Sequence, residues 1–184
     1  MERLTQAGKD LLNTDFVAAS GTPVFRVSTP SRSTTHLARF VPTSGGGSGS
    51  GSGGLTTVPT VDIEWHRWSE TIFRMEDREE ELEEYLPKED GLTGRKRRFT
   101  ARSGRSYLWN TIGNACVLSL PDGREVGHYQ ERSTSIFRFG RARPAFLELA
   151  TDVLDDFDEI AMTFVYMRRK QEHRLLAIDA EAGV

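Results

Sequence analysis

Over most of its length the chain alternates apolar and polar positions with a period of two, in short segments that stop at Gly, Pro, Asn or Asp. This is the pattern of half-buried β-strands. Val24-Phe25-Arg26-Val27 follows a Gly21-Thr22-Pro23 turn, and His36-Leu37-Ala38-Arg39-Phe40-Val41 runs into Pro42. In Val61-Asp62-Ile63-Glu64-Trp65-His66 the alternation sets Val61, Ile63 and Trp65 on one face and Asp62, Glu64 and His66 on the other. Residues 69–75, with Ile72 and Phe73, supply a partner strand. Residues 97–100 and 106–109 flank Ala101-Arg102-Ser103-Gly104-Arg105, a spacing that predicts a hairpin with glycine at the left-handed position. Residues 118–120 and 124–129 flank Pro121-Asp122-Gly123 and predict a second hairpin. Two more short segments, 135–139 and 145–150, complete a set of about ten strands at spacings of roughly 8 to 15 residues, the signature of an antiparallel barrel or sandwich.

The C-terminal segment breaks this pattern. Asp156 and Glu159 have capping-box spacing, the acids lie at the start of the segment, and Arg168, Arg169 and Lys170 lie at its end, as a helix dipole prefers. Phe157, Ile160, Ala161, Phe164 and Val165 fit one helical face. Yet residues 160–167 are apolar on every side except Thr163, so a helix would have to be buried all round, and a central strand fits the same run. Periodicity leaves both open.

Residues 44–54 read SGGGSGSGSGG. A two-letter Gly/Ser stretch cannot bury apolar surface and reads as a flexible connector. It is uniform enough to look like an engineered replacement for a longer loop, with a natural low-complexity insert as the alternative. The 184 residues, 37% hydrophobic and 28% charged, otherwise make one ordinary domain, residues 1–184, interrupted at this run. Cys116, the only cysteine, sits in the apolar run Ala115-Cys116-Val117-Leu118, which excludes an internal disulfide and points to a small core side chain. The N-terminal residues lack the apolar stretch of a signal peptide, and no apolar window is long enough to span a membrane. The expectation is therefore a cytoplasmic, soluble chain.

Candidate chemistry is sparse. The run contains a formal G-x-G-x-x-G, Gly49 to Gly54, with neither strand before it nor helix after it, so it is a chance match. The four histidines, His36, His66, His128 and His173, are scattered without metal-ligand spacing. No catalytic residue, metal site or cofactor is expected. The net charge of −3 conceals opposing blocks. Residues 76–90 hold nine acids against Arg78 and Lys88, and read as a solvated helix or loop. Arg95, Lys96, Arg97, Arg98, Arg102 and Arg105 place six cations and no acid on one hairpin, and Arg132, Arg138, Arg141 and Arg143 form a second acid-free stretch. Such patches suit phosphate groups, which arginine binds in a bidentate fork. The plainer reading pairs the hairpin with the acidic block just before it. Nucleic acid is not expected, because the net charge is negative and Trp65, Phe99, Tyr107 and Trp109 look core-facing.

The order LLNTDF, PVFRVSTP, TTHLARF, VDIEWHR, RRFTARSGRSYLWN, DGREVGHY and LDDFDEIAMTFVYMRR resembles a fungal family of domains of unknown function, grouped with the tubby C-terminal-like folds. The resemblance implies a closed antiparallel β-barrel threaded by a central hydrophobic helix at residues 156–174. A barrel of about twelve strands has an interior that such a helix can fill. The wider group includes phosphoinositide binders and phospholipid scramblases, so lipid contact follows only by fold-level analogy. Two non-enzymatic readings stay open. One is a module that binds anionic phospholipid head groups at a membrane periphery through Arg95, Lys96, Arg97, Arg98, Arg102, Arg105, Arg138, Arg141 and Arg143. The other is a protein-interaction or scaffold domain that uses its acidic and edge-strand surfaces.

Overall fold

The computed structural model describes residues 1–43, 54–66, 70–76, 78–89, 93–132 and 143–182, with side chains to residue 175. The alternating segments form twelve antiparallel strands: β1 (Glu2–Gln6), β2 (Thr14–Ala18), β3 (Pro23–Ser31), β4 (Thr34–Pro42), β5 (Leu55–Glu64), β6 (Ile72–Met75), β7 (Arg78–Glu81), β8 (Lys96–Thr100), β9 (Ser106–Ile112), β10 (Ala115–Ser119), β11 (Glu125–Gln130) and β12 (Phe146–Leu149). A short helix, α1 (Leu82–Tyr85), follows β7. A 3-10 turn (Thr151–Asp156) leads into α2 (Phe157–Ala182). The predicted strand at 135–139 lies outside the described residues.

The strands make one sheet in the order β7-β6-β5-β4-β3-β2-β1-β12-β11-β10-β9-β8. Its centre is the pairing of β1 with β12, which brings the two ends of the strand sequence together, Leu4 opposite Leu147. Inward positions alternate as the sequence predicts: Val61 and Ile63 are buried, while Asp62 faces outward and receives His36 at 2.6 Å from the adjacent strand. Both anticipated hairpins form, with Gly104 at φ 83° and Gly123 at φ 88°, a left-handed backbone that glycine adopts without a Cβ clash.

The C-terminal segment is a helix, not a strand. Every residue from Glu159 to Arg168 is buried, more than two turns without a solvent face. The sheet therefore curls around α2. Phe164 touches rings from both halves of the sheet: Phe16 on β2, Trp109 on β9 and Tyr129 on β11. Phe157 meets Phe25 on β3, and Thr163, the one polar side chain in the apolar run, accepts the Trp109 indole N–H at 2.9 Å. Aromatic rings fill a wide interior with few rotatable bonds and pack edge to face.

The ladder does not close, contrary to the expectation of a closed barrel. β7 and β8 are the two ends of the sheet, and α1 stands between them. After α1 the chain meets β8 at an isolated bridge between Lys88 and Arg97, where the Arg98 N–H donates to Pro87 O at 3.1 Å and the Glu89 N–H to Lys96 O at 2.9 Å. β7 cannot reach β8 directly because Leu82, Tyr85 and Leu86 occupy the gap, all buried. The ring of Tyr85 lies between Phe73 of β6 and Phe99 of β8, so side chains span what hydrogen bonds do not.

Phe164→Ala removes the ring on which three strands converge and should lower unfolding free energy by about 3–5 kcal/mol, measured by urea titration. A loss below about 1 kcal/mol would show that α2 is not the centre of the core.

Candidate functional site

Because the strands are antiparallel, every turn lies at one of two ends of the curled sheet. α2 begins at one end and leaves at the other, and the two ends differ in charge.

The end where α2 begins is acidic. Asp156 and Glu159 do not close a capping box there. Buried Asp156 accepts the Tyr107 hydroxyl at 2.6 Å and the Ser103 hydroxyl at 2.9 Å. Glu159 accepts the Tyr85 hydroxyl at 2.8 Å and the Arg102 N–H at 3.0 Å. The two carboxylates thus fasten the β8–β9 turn and α1 to the start of α2. Burial pushes the Tyr85 hydroxyl above its ordinary value, and its bond to Glu159 raises it further, so it stays a neutral donor. Beside them lies a cavity of about 350 Å³, lined among others by Val58, Glu76, Arg102, Asp155 and Asp158. A second, apolar cavity of about 240 Å³ is walled by Leu4, Val24, Phe40, Leu149 and Leu154, with Arg39 and Phe157 beside it. The Arg39 guanidinium donates to Asp158 at 2.6 Å.

The six cations expected on the first hairpin do not form one patch. Strand alternation turns Arg97 inward, where it is buried, donates to Leu86 O at 2.7 Å and lies over the Tyr166 ring. Arg98 points outward and forks onto Glu89 at 2.7 and 3.3 Å. Arg102 and Arg105 sit at the turn, on the acidic end, where Arg102 donates to Glu76 at 2.8 Å and Arg105 to the Asp152 carbonyl. Pairing between the hairpin and the preceding acidic block, the plainer of the two sequence readings, therefore accounts for Arg97, with Glu83 at 3.4 Å, as well as for Arg98 and Arg102. Arg95 and Lys96 alone of the six stand exposed at the opposite end. Arg132 and Arg143 are exposed as well, and Arg138 and Arg141 lie outside the described residues.

That opposite end, where α2 leaves the sheet, carries cations that the sequence reading had assigned only to a helix dipole. Arg174 donates to Thr93 O at 2.8 Å, which sets the helix against the segment carrying Arg95 and Lys96. Arg169 lies over the Trp65 ring at 4.0 Å, and its Nη2 reaches the Arg32 carbonyl. Lys170 meets Glu83 at 3.0 Å, and buried Arg168 is compensated by Glu131 at 3.5 Å and Glu172 at 3.4 Å. Among the described residues, Lys9, Arg32, Lys88, Arg95, Lys96, Arg132, Arg143, Arg169 and Arg174 stand at this end, interspersed with the acids Asp10, Glu70, Glu81, Glu84 and Glu89. The signal that could have found this site is the Arg168-Arg169-Lys170 and Arg174 run, read together with a helix buried up to that point.

The remaining reactive side chains are on outer faces or silent. His128 and His66 stand near the surface carboxylates Glu125 and Glu64, at 3.4 and 3.8 Å. Burial pushes the Cys116 thiol up to about 12, so it stays protonated. Among the described residues no group of three or more His, Cys, Asp or Glu side chains could hold a metal ion, and no helix is long and apolar enough to cross a membrane.

These features define a mainly β domain folded around one helix, with an acidic end and a basic rim. The chain belongs to a family of unknown function, DUF6593, whose family model matches residues 9–173. No curated protein and no solved structure matches it.

Glu83 ties this rim to the helix and gives it a pH dependence. Burial raises its carboxyl, but hydrogen bonds from Tyr166 and Lys170 and the charges of Lys170 and Arg97 outweigh burial and hold it at about 2, below the ordinary 4.5. A depressed native value contributes stability above pH 4.5 that is lost as pH falls toward 2. In urea titrations at pH 6 and pH 3, wild type should lose more stability than Glu83→Gln. Equal losses would refute the assignment.

Proposed function

We propose that this domain is a tubby-like, non-catalytic module that docks on anionic membrane surfaces with the rim from which α2 emerges. The single observation that carries the reading is the meeting of Arg95 and Lys96 with Arg169 and Arg174 around the exit of a buried helix. Cations on a loop rim, held by a rigid sheet, attract the negative leaflet at about 1 kcal/mol each when close to the surface. The tubby-like assignment is supported by twelve antiparallel strands curled around a helix that is buried on all sides from Glu159 to Arg168. Side chains of α1 would complete the barrel wall across the β7–β8 gap. Sheet extension by a partner strand finds less support. β7 has four residues, all charged, and β8 is bridged by Lys88, the devices that blunt an edge.

Vesicle sedimentation tests the reading. The 184-residue chain should pellet with vesicles containing phosphatidylserine and phosphatidylinositol 4,5-bisphosphate and not with neutral phosphatidylcholine vesicles. Arg95→Glu with Lys96→Glu should reduce binding by at least about tenfold, since each reversal exchanges attraction for repulsion. Arg98→Glu, already engaged by Glu89 on the sheet's flank, should change it less than about threefold. Equal loss from both variants would sink this location.

A further inference from the structure

We infer that the rim inserts two apolar side chains, Ile112 and Leu175, beneath the lipid head groups, so that its ligand is a bilayer surface and not a soluble phosphate compound. This rests on the membrane reading above. Ile112 is 59% exposed and Leu175 is 38% exposed, both large aliphatic side chains facing water.

The fold holds them together. Ile112 ends β9 and precedes Gly113, whose φ of 54° makes the tight turn into β10 and leaves Ile112 at the tip. The residues on either side of it are gripped by α2: Arg174 Nη2 reaches Thr111 Oγ1 at 3.5 Å, and the Gln171 amide donates to Gly113 O. Leu175 follows Arg174 directly and lies one helical turn after Gln171. The two aliphatic side chains thus share one corner of the rim, and the cations Arg95, Lys96 and Arg174 stand around it.

Single exposed apolar residues are ordinary on protein surfaces. What distinguishes this pair is its setting. Among the described residues, the other exposed large apolar side chains, Met1, Leu55 and Val58, belong to the opposite end, where Val58 shares a cavity with Asp155 and Asp158 and an anionic leaflet would be repelled. At the rim, cations and exposed aliphatic carbon stand side by side, the combination that a membrane interface takes up, with cations at the phosphates and aliphatic carbon below them. Long basic side chains also follow this geometry, burying their stems while their heads stay in water.

A fluorophore reports insertion directly. The 184-residue chain with Cys116→Ala carries one new thiol, Ile112→Cys, labelled with an environment-sensitive NBD group; a control carries the label at Ser20→Cys, exposed at the acidic end. With phosphatidylserine vesicles the label at 112 should brighten severalfold and shift to the blue, and the label at 20 should not change. Ile112→Ser with Leu175→Ser should weaken vesicle binding by roughly tenfold, as loss of two partly inserted aliphatic side chains predicts. If wild type pellets with vesicles but the label at 112 stays silent, insertion is overturned and the docking reading stands. If wild type does not pellet, both fall. A label that responds to protein concentration without vesicles would assign Ile112 to contact between two copies and overturn insertion as well.

Discussion

A sheet of twelve strands presents more inner surface than its own side chains can fill, and this sequence meets that constraint with one helix that has no solvent face from Glu159 to Arg168. The constraint reaches outward from there. Each polar side chain that α2 carries between Glu159 and Arg168 is under pressure to find a partner inside the protein, because leaving it wholly unpaired in a dry interior costs more than the hydrogen bond itself contributes. Thr163 finds Trp109, Glu159 finds Tyr85 and the Arg102 N–H, and Arg168 finds Gln171, Glu172 and Glu131. Those partners lie on β9, on α1, on the β8–β9 turn, after β11 and on the helix itself. The polar exceptions of the helix therefore specify how the sheet wraps it, where apolar packing alone would tolerate slippage.

The same logic explains the discontinuity between β7 and β8. A closed ladder would need β7 to turn its backbone toward β8, yet the chain instead inserts α1 and fills the gap with Leu82, Tyr85 and Leu86. Tyr85 packs between Phe73 of β6 and Phe99 of β8, and Tyr166 and Lys170 of the helix hold Glu83 from below. The acidic block is thus part of the wall of the domain, which its composition alone disguises.

Much of this was legible beforehand. Period-two alternation located most strands, the Gly104 and Gly123 turns fell where glycine was required, parity set Val61 and Ile63 inward with Trp65 half-buried beside them, and the aromatics Phe99, Tyr107 and Trp109 face the core as expected. β1, β2 and β7 were missed for a physical reason. Their polar positions, such as Arg3, Asp15 and Glu79, form cross-strand ion pairs, and a short strand held by charges carries little hydrophobic signal. The binding residues were harder still. Linear clustering grouped Arg95 to Arg105 as one patch, but a strand sends neighbours to opposite faces and a hairpin carries its two ends apart. Arg97 thereby went inside and Arg102 and Arg105 went to the acidic end. Arg169 and Arg174 joined Arg95 from some seventy residues away, a proximity that no local pattern contains.

Where β4 ends and β5 begins, the Thr43 N–H donates to the Gly54 carbonyl at 2.8 Å, so the strands are already paired at the point where the Gly/Ser run departs. Their register is set by nine further residue pairs, from Pro42 with Leu55 to Thr34 with Glu64, and owes nothing to what connects them. Lengthening a connection of this kind costs only about 0.6 kcal/mol for each doubling. The junction is therefore a natural port of the domain, at the acidic end and far from the rim. Another folded unit, or a pair of new chain termini, could be grafted there with the sheet, the helix and the basic rim left as they are.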